Sequence, residues 1–287
     1  MVQWIHLSDL QFGTGKAENT DADDCARVLI ERAASLKPDF VVHSGDHIHG
    51  AVNDSKEEKE RVGEYWADYQ KAVRPLKELC PILSVPGNHD QTGSDLALQT
   101  YNRQTGRSGK PPYWATTIKG VHIVGLDVVP WRHKGGFPKG SLQEKWLRRH
   151  LKRSRRARCL VAVGHYPIFA APWIYHNVDP SLNYNELTGE KGVLLPILLE
   201  TRVDLYLCGH QHIYERTRYP RLTQVMTGGE GVAFAGLLEQ APNKYSRTRD
   251  ERRGYTRFIL TDKSIRGEAV DLHGECIDAW VQRLNCQ

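Results

Sequence analysis

No stretch of this sequence approaches the roughly 18 consecutive apolar residues of a membrane span, so no membrane contact is expected. Nor does a basic segment with an apolar run stand ahead of the first strand-like stretch, which starts at Val2. A secretory signal would require one, and a cytoplasmic chain is the expectation. Repeats, low-complexity tracts and linkers are all missing, which favours one domain over residues 1–287. Cysteine is scattered. Cys25, Cys80, Cys159, Cys208, Cys276 and Cys286 keep no metal-finger spacing, and several lie among apolar residues, as reduced core thiols would. What is present is enough apolar material for a sizeable core, 40% of 287 residues, and a net charge of +5 that suits an acidic substrate.

Strand-like runs recur at 2–7, 40–43, 82–85, 121–126, 160–163 and 205–207, with helical patterns at 23–36, 56–79, 141–153 and 192–200 between them. That alternation predicts an α/β layered fold. Pro75 and Pro196 are expected to end or kink their helices. Ser141 and Glu144 are spaced as a capping box, which marks the start of the third helix. Near the end, 223–227, 257–260 and 265–270 read as strands close enough for antiparallel pairing.

Five polar clusters follow five of the strand-like runs: "SDLQ", "SGDHIH", "PGNHD", "GHYP" and "CGHQH". In an open α/β sheet, ligands bind beyond the carboxyl ends of the strands, so these clusters should converge in space. They bring Asp9, Asp46, Asn88, His89, His165, His210 and His212, a mixed oxygen and imidazole set suited to Mn, Fe, Zn or Ni. A single histidine after a strand is more often a turn residue than a ligand; the set of five clusters reverses that. His6, His43, His122, His133, His150 and His273 keep the plain structural reading.

With these clusters, in this order, the sequence from Trp4 to His212 resembles the calcineurin-like metallophosphoesterases, which include the purple acid phosphatases and many phosphodiesterases. The resemblance implies a layered β-sandwich flanked by helices, in αββα order. It also implies two divalent or mixed-valence metal ions. By residue-to-residue match, Asp46 bridges the metals, Asn88, His165 and His210 hold the second, and Asp9 and His212 hold the first. His89 matches the family's non-ligand histidine, which contacts the phosphate or protonates the leaving group, and Asp90 is placed to orient its ring. The implied reaction is hydrolysis of a phosphomonoester or small phosphodiester by attack of metal-bound hydroxide, the two cations offsetting the growing charge. The partner is a small phosphorylated substrate, with a nucleotide as one form of it.

Two positions depart from the common pattern. Most family members have histidine where Gln11 stands, and purple acid phosphatases have a tyrosine where His49 stands. A ferric-tyrosinate colour is therefore not expected. The manganese-dependent ADP-ribose/CDP-alcohol diphosphatases also have Asp-x-Gln, so either the Gln11 amide oxygen or the His49 imidazole is the candidate ligand of the first metal. A neutral, hard amide oxygen favours Mn or Mg, and Mn is the favoured metal overall.

Two further segments bear on substrate. The stretch 168–189 is long and aromatic, and Trp173, Tyr175 and His176 are candidates to stack on a base or cover the phosphate. In "KWLRRHLKRSRRAR", Arg148, Arg149, Lys152 and Arg153 form a basic face. A solvated helix surface explains it better than contact with nucleic acid, because no second basic cluster or aromatic stacking platform accompanies it. The rival functions are a nucleotide pyrophosphatase, a nuclease, and a non-catalytic interaction scaffold on a decayed metal site.

Overall fold

Strand β1 (Val2–Leu7) shows how the layers arise. Val2 and Trp4 point into one apolar cluster, and Ile5 and Leu7 into another, the two-residue period of a strand buried on both faces. Strand β2 (Phe40–His43) repeats the division: Phe40 and Val42 join Trp4, while Val41 joins Ile5. The computed structural model describes residues 1–51, 55–91, 95–129, 137–154, 156–170, 192–228 and 242–284.

β1 and β2 pair in parallel, as do β2 and β3 (Ile82–Ser84). On the other side of β1 lie β11 (Gly254–Leu260), β12 (Ser264–Asp271) and β13 (Cys276–Arg283), all antiparallel, completing a six-stranded sheet. The second sheet has seven strands in the order β10-β8-β9-β7-β6-β5-β4. Its centre is β5 (Val121–Gly125), β6 (Cys159–Val163), β7 (Leu205–Cys208) and β9 (Thr223–Met226), parallel throughout. β4 (Trp114–Ile118), β8 (Tyr214–Arg218) and β10 (Ser246–Asp250) add antiparallel edges.

The sheets face each other through Trp4, Phe40 and Phe258 on one side and Ile123, Val161 and Leu207 on the other. Helices α2 (Ala22–Ser35) and α3 (Lys56–Leu79) cover the outside of the first sheet, with Leu29, Ile30, Trp66 and Val73 in one apolar cluster with Ile5 and Val41. Helices α5 (Leu142–Arg153) and α6 (Leu194–Glu200) cover the second through Leu147, Leu151, Leu194 and Ile197. Short α1 (Thr14–Glu18) and α4 (Asp95–Gln104) complete the set. The order of layers is αββα, as the family resemblance implied.

Some local expectations change. Helix α3 runs through Pro75 to Leu79 without ending there. Pro196 falls in the first turn of α6, where its missing N–H has no helical partner to lose. Ser141 does cap α5, accepting from Glu144 N at 3.1 Å, but the Glu144 carboxylate returns to Gly140 N, one residue before the cap. Strand β9 pairs with β7 and β8, not with β11 and β12. Of the cysteines, Cys25, Cys80, Cys159 and Cys208 are free and buried and Cys276 is free and exposed. Cys286, His133, Trp173, Tyr175 and His176 lie outside the described residues. Among the described residues no helix is long and apolar enough to cross a membrane.

Candidate metal centre

All five polar clusters sit just past the carboxyl ends of parallel strands: Asp9 and Gln11 after β1, Asp46 and His49 after β2, Asn88 and His89 after β3, His165 after β6, His210 and His212 after β7. The loops are tied together by backbone hydrogen bonds. Asp9 N donates to Gly45 O at 3.0 Å, Gln11 N to Asp46 O at 3.0 Å, and Gly209 N to His165 O at 3.0 Å. Asp9, Gln11, Asp46, His210 and His212 all have positive φ, between 39° and 75°. Side chains other than glycine seldom hold that backbone, and where they do it aims a functional group. Two glycines let the carboxylates approach. A Cβ on Gly209 would stand 2.2 Å from Asp9 Oδ2, and one on Gly87 would stand 2.1 Å from Asp46 Oδ1.

Asp9, Asp46 and His212 form one buried group, with one ligand atom from each lying within 4.8 Å of the others. The Gln11 amide joins this group, its Nε2 3.4 Å from Asp46 Oδ2 and 3.2 Å from His212 Nε2. A half-turn of that amide would present Oε1 in the same place. Asn88 Oδ1 lies between His165 Nε2 at 2.9 Å and His210 Nδ1 at 3.0 Å. Asp46 Oδ2 is 3.2 Å from the same His165 nitrogen, so Asp46 belongs to both groups. Two carboxylates and three imidazoles in one buried space is a donor set that fits a pair of cations, because the acids then need no proton to stay there.

Protonation in the protein alone reflects that crowding. Burial pushes the Asp9 carboxyl up, and the nearby His165 and His212 oppose it only in part. Burial acts the same way on Asp46, but the positive charge of His165, and then of His89, outweighs it and holds this carboxyl below the usual range. Burial alone would lower His165; the Asp46 charge overrides it and raises the group. His210 is lowered, first by burial and then by the His165 charge.

His89 is the open member of the site. Its side chain is 32% exposed against 1% for Asp46, so it faces an incoming ligand while Asp46 does not. Its Nδ1 donates to the His49 carbonyl oxygen, and its Nε2 lies 4.0 Å from Asp46 Oδ2. His49 is not part of the Asp9, Asp46 and His212 group; its Nδ1 donates to Thr14 Oγ1 at 3.1 Å, because the one hydroxyl proton of Thr14 already goes to Gln11 O.

Asp90 does not orient the His89 ring. Its fully buried carboxylate accepts from Asp46 N, Gly87 N and His47 Nδ1 on Oδ2 and from His47 N on Oδ1, at 2.8 to 3.0 Å. It clips the loop after β2 to the loop after β3. Its partner His47 was not among the sequence candidates. A histidine next to an aspartate carries no signal for that role until the two loops meet.

The sequence pattern of the calcineurin-like phosphoesterases matches residues 4–214. The chain belongs to that family. Tartrate-resistant acid phosphatase type 5 of Sus scrofa is 27% identical to it over 282 residues, 88% of this chain and 78% of that protein. Acid phosphatase type 7 of Homo sapiens is 24% identical over 283 residues, 85% of this chain and 61% of that one. The structure of purple acid phosphatase PPD1 from yellow lupin (Lupinus luteus) seeds has the same fold over 98% of this chain and 53% of its own, with a TM-score of 0.72 and 16% identity. This chain thus spans less than two thirds of the latter two proteins. In this member of the family the Gln11 amide lies beside Asp46, and His49 hydrogen-bonds to Thr14.

Proposed function

We propose that this chain hydrolyses phosphomonoesters or small phosphodiesters at two divalent cations, with Mn favoured. The observation that carries the reading is Asp46, whose carboxylate belongs both to the Asp9 and His212 group and to the Asn88, His165 and His210 group. Asp9, Gln11 and His212 would hold the first ion and Asn88, His165 and His210 the second, with Asp46 between them. Bound there, the ions would supply Lewis-acid charge against the phosphoryl oxygens and acidify water.

The protein's own groups do the rest. Asp9 and Asp46 contribute only two negative charges against four positive, so the loaded site attracts a phosphate anion. His89, open to solvent and fixed at Nδ1 by the His49 carbonyl, delivers the Nε2 proton to the phosphate or the leaving oxygen. Asp90 and His47 hold the two loops that carry Asp46 and His89. Gln11 is the first-ion ligand in this reading rather than His49, because its amide already lies against Asp46 and His212.

The test is hydrolysis of p-nitrophenyl phosphate and its bis ester after chelation and return of Mn, Ni, Zn or Fe. Turnover with at least one metal is expected. Bound metal without turnover on either ester would point instead to an interaction scaffold on this fold.

A further inference from the structure

Helix α5 is anchored in the core by Leu147 and Leu151, and its outer side is strongly basic. Arg149, Lys152 and Arg153 are exposed on it, and Arg156 is exposed just past its end. Their neighbours are neutralised: Arg148 pairs with Glu144 and Glu200, and Arg158 with Asp262. Among the described residues none of the four has a carboxylate within ion-pair distance. The helix dipole favours cations in the last turn, which accounts for Lys152 and Arg153. It does not account for a further cation beyond the helix end, nor for the shape of the surface.

That surface is a groove. Trp146, Arg149, His150 and Arg153 line an open space of about 440 Å³. Its aromatic wall is rigid, since Trp146 stacks on His150 with ring centres 5.2 Å apart, and His150 Nε2 lies 2.9 Å from His122 Nε2 on β5. His122 stands near the start of β5, and the last turn of α5 precedes β6. The groove is therefore at the amino ends of the strands, opposite the metal centre.

We propose that this ridge binds the phosphodiester backbone of a nucleic acid, at a surface separate from the metal centre. The guanidinium forks of Arg149, Arg153 and Arg156 match phosphate oxygens, and Lys152 adds a point charge between them. At about 1.5 Å per helical residue, Arg149 to Arg153 covers roughly 6 Å along α5, and Arg156 extends the row past the helix end. An anionic membrane surface fits less well, because a helix lying on a membrane sets a broad apolar face into it, and the apolar face of α5 is turned into the core by Leu147 and Leu151. The exposed large apolar residue on α5, Leu142, stands at the opposite end of the helix.

The experiment is fluorescence anisotropy of the full chain with a labelled 20-nucleotide single-stranded DNA carrying phosphorothioate links to resist cleavage. Four contacts predict that log K falls against log salt with a slope of about −2.8, and Arg149→Glu/Arg153→Glu should remove about half of that slope. The same variant should lose at least tenfold in affinity while hydrolysing p-nitrophenyl phosphate at the wild-type rate. Asp46→Asn, which disables the metal centre, should keep the DNA affinity. The proposal is overturned if DNA does not bind at 50 mM salt, or if the double variant binds it as well as wild type. Loss of binding in Asp46→Asn would place the DNA at the metal centre, and binding only to phosphatidylserine vesicles would make the ridge a lipid surface; either overturns it.

Discussion

Replacing Asp90 by asparagine tests whether one carboxylate holds the site's two loops together. Oδ2 accepts three donors, from Asp46 N, Gly87 N and His47 Nδ1, and Oδ1 accepts one, from His47 N. The least costly placement of the new amide keeps its oxygen where Oδ2 was and turns its NH₂ toward His47 N. Two donors then face each other in a fully buried place, and one charge-assisted hydrogen bond, worth about 1.5–3 kcal/mol, is lost. The other three bonds weaken as the charge disappears, since charge-assisted bonds are roughly twice as strong as neutral ones. The total is about 2–4 kcal/mol, a large part of the roughly 5–15 kcal/mol that separates most folded proteins from unfolding. With a urea slope near 2 kcal/mol/M, the midpoint of Asp90→Asn should fall by about 1–2 M with the slope unchanged. Turnover should fall too, because the backbone that aims Asp46 and His89 loosens. A midpoint within about 0.3 M of wild type and full turnover would refute the clip.

His89→Ala should cut turnover by about 10²–10⁴ with both metals retained, read by steady-state kinetics beside metal analysis; unchanged turnover would remove His89 from proton transfer. Gln11→Ala should lose one of two bound ions while His49→Ala keeps both, and the reverse result would exchange their roles. His122 is lowered from 6.5 to about 4, first by burial and then by the His150 charge. It stays neutral in the fold while the unfolded chain gains a proton, so its contribution is complete above pH 6.5 and is lost as pH falls toward 4. Since the pair is partly open to solvent, that loss should be about 1–2 kcal/mol; His122→Gln should flatten it in urea titrations at pH 7 and pH 4.5.

The candidate centre was legible in the sequence because its residues come in short clusters, each directly after an apolar run. Trp4, Ile5 and Leu7 announce a strand, and the abrupt change to Ser8 and Asp9 announces its rim. Hydrophobic pattern alone reached an α/β layered fold; the pairing of two sheets came from the resemblance carried by the five clusters. Strands β8 and β10 were missed since "YERTR" and "SRTRD" are too charged to read as buried strand; β10 is a partly solvent-facing edge, and β8 lies inside it beside β9. The 56–79 helix was read at its observed bounds in spite of Pro75, whose penalty is local, whereas α3 is held by Trp66, Tyr69, Val73 and Leu76 along its buried face. The roles of Asp90 and His47 were hidden for a different reason. Both depend on two loops meeting, and 43 residues separate the partners.

The central claim is that Asp46 joins two metal sites, and metal stoichiometry after dialysis against Mn tests it most directly. Two ions per wild-type chain are predicted, with Asp46→Asn losing both while circular dichroism shows it still folded. A wild-type chain that takes up one ion, or an Asp46→Asn chain that keeps two, would contradict the account.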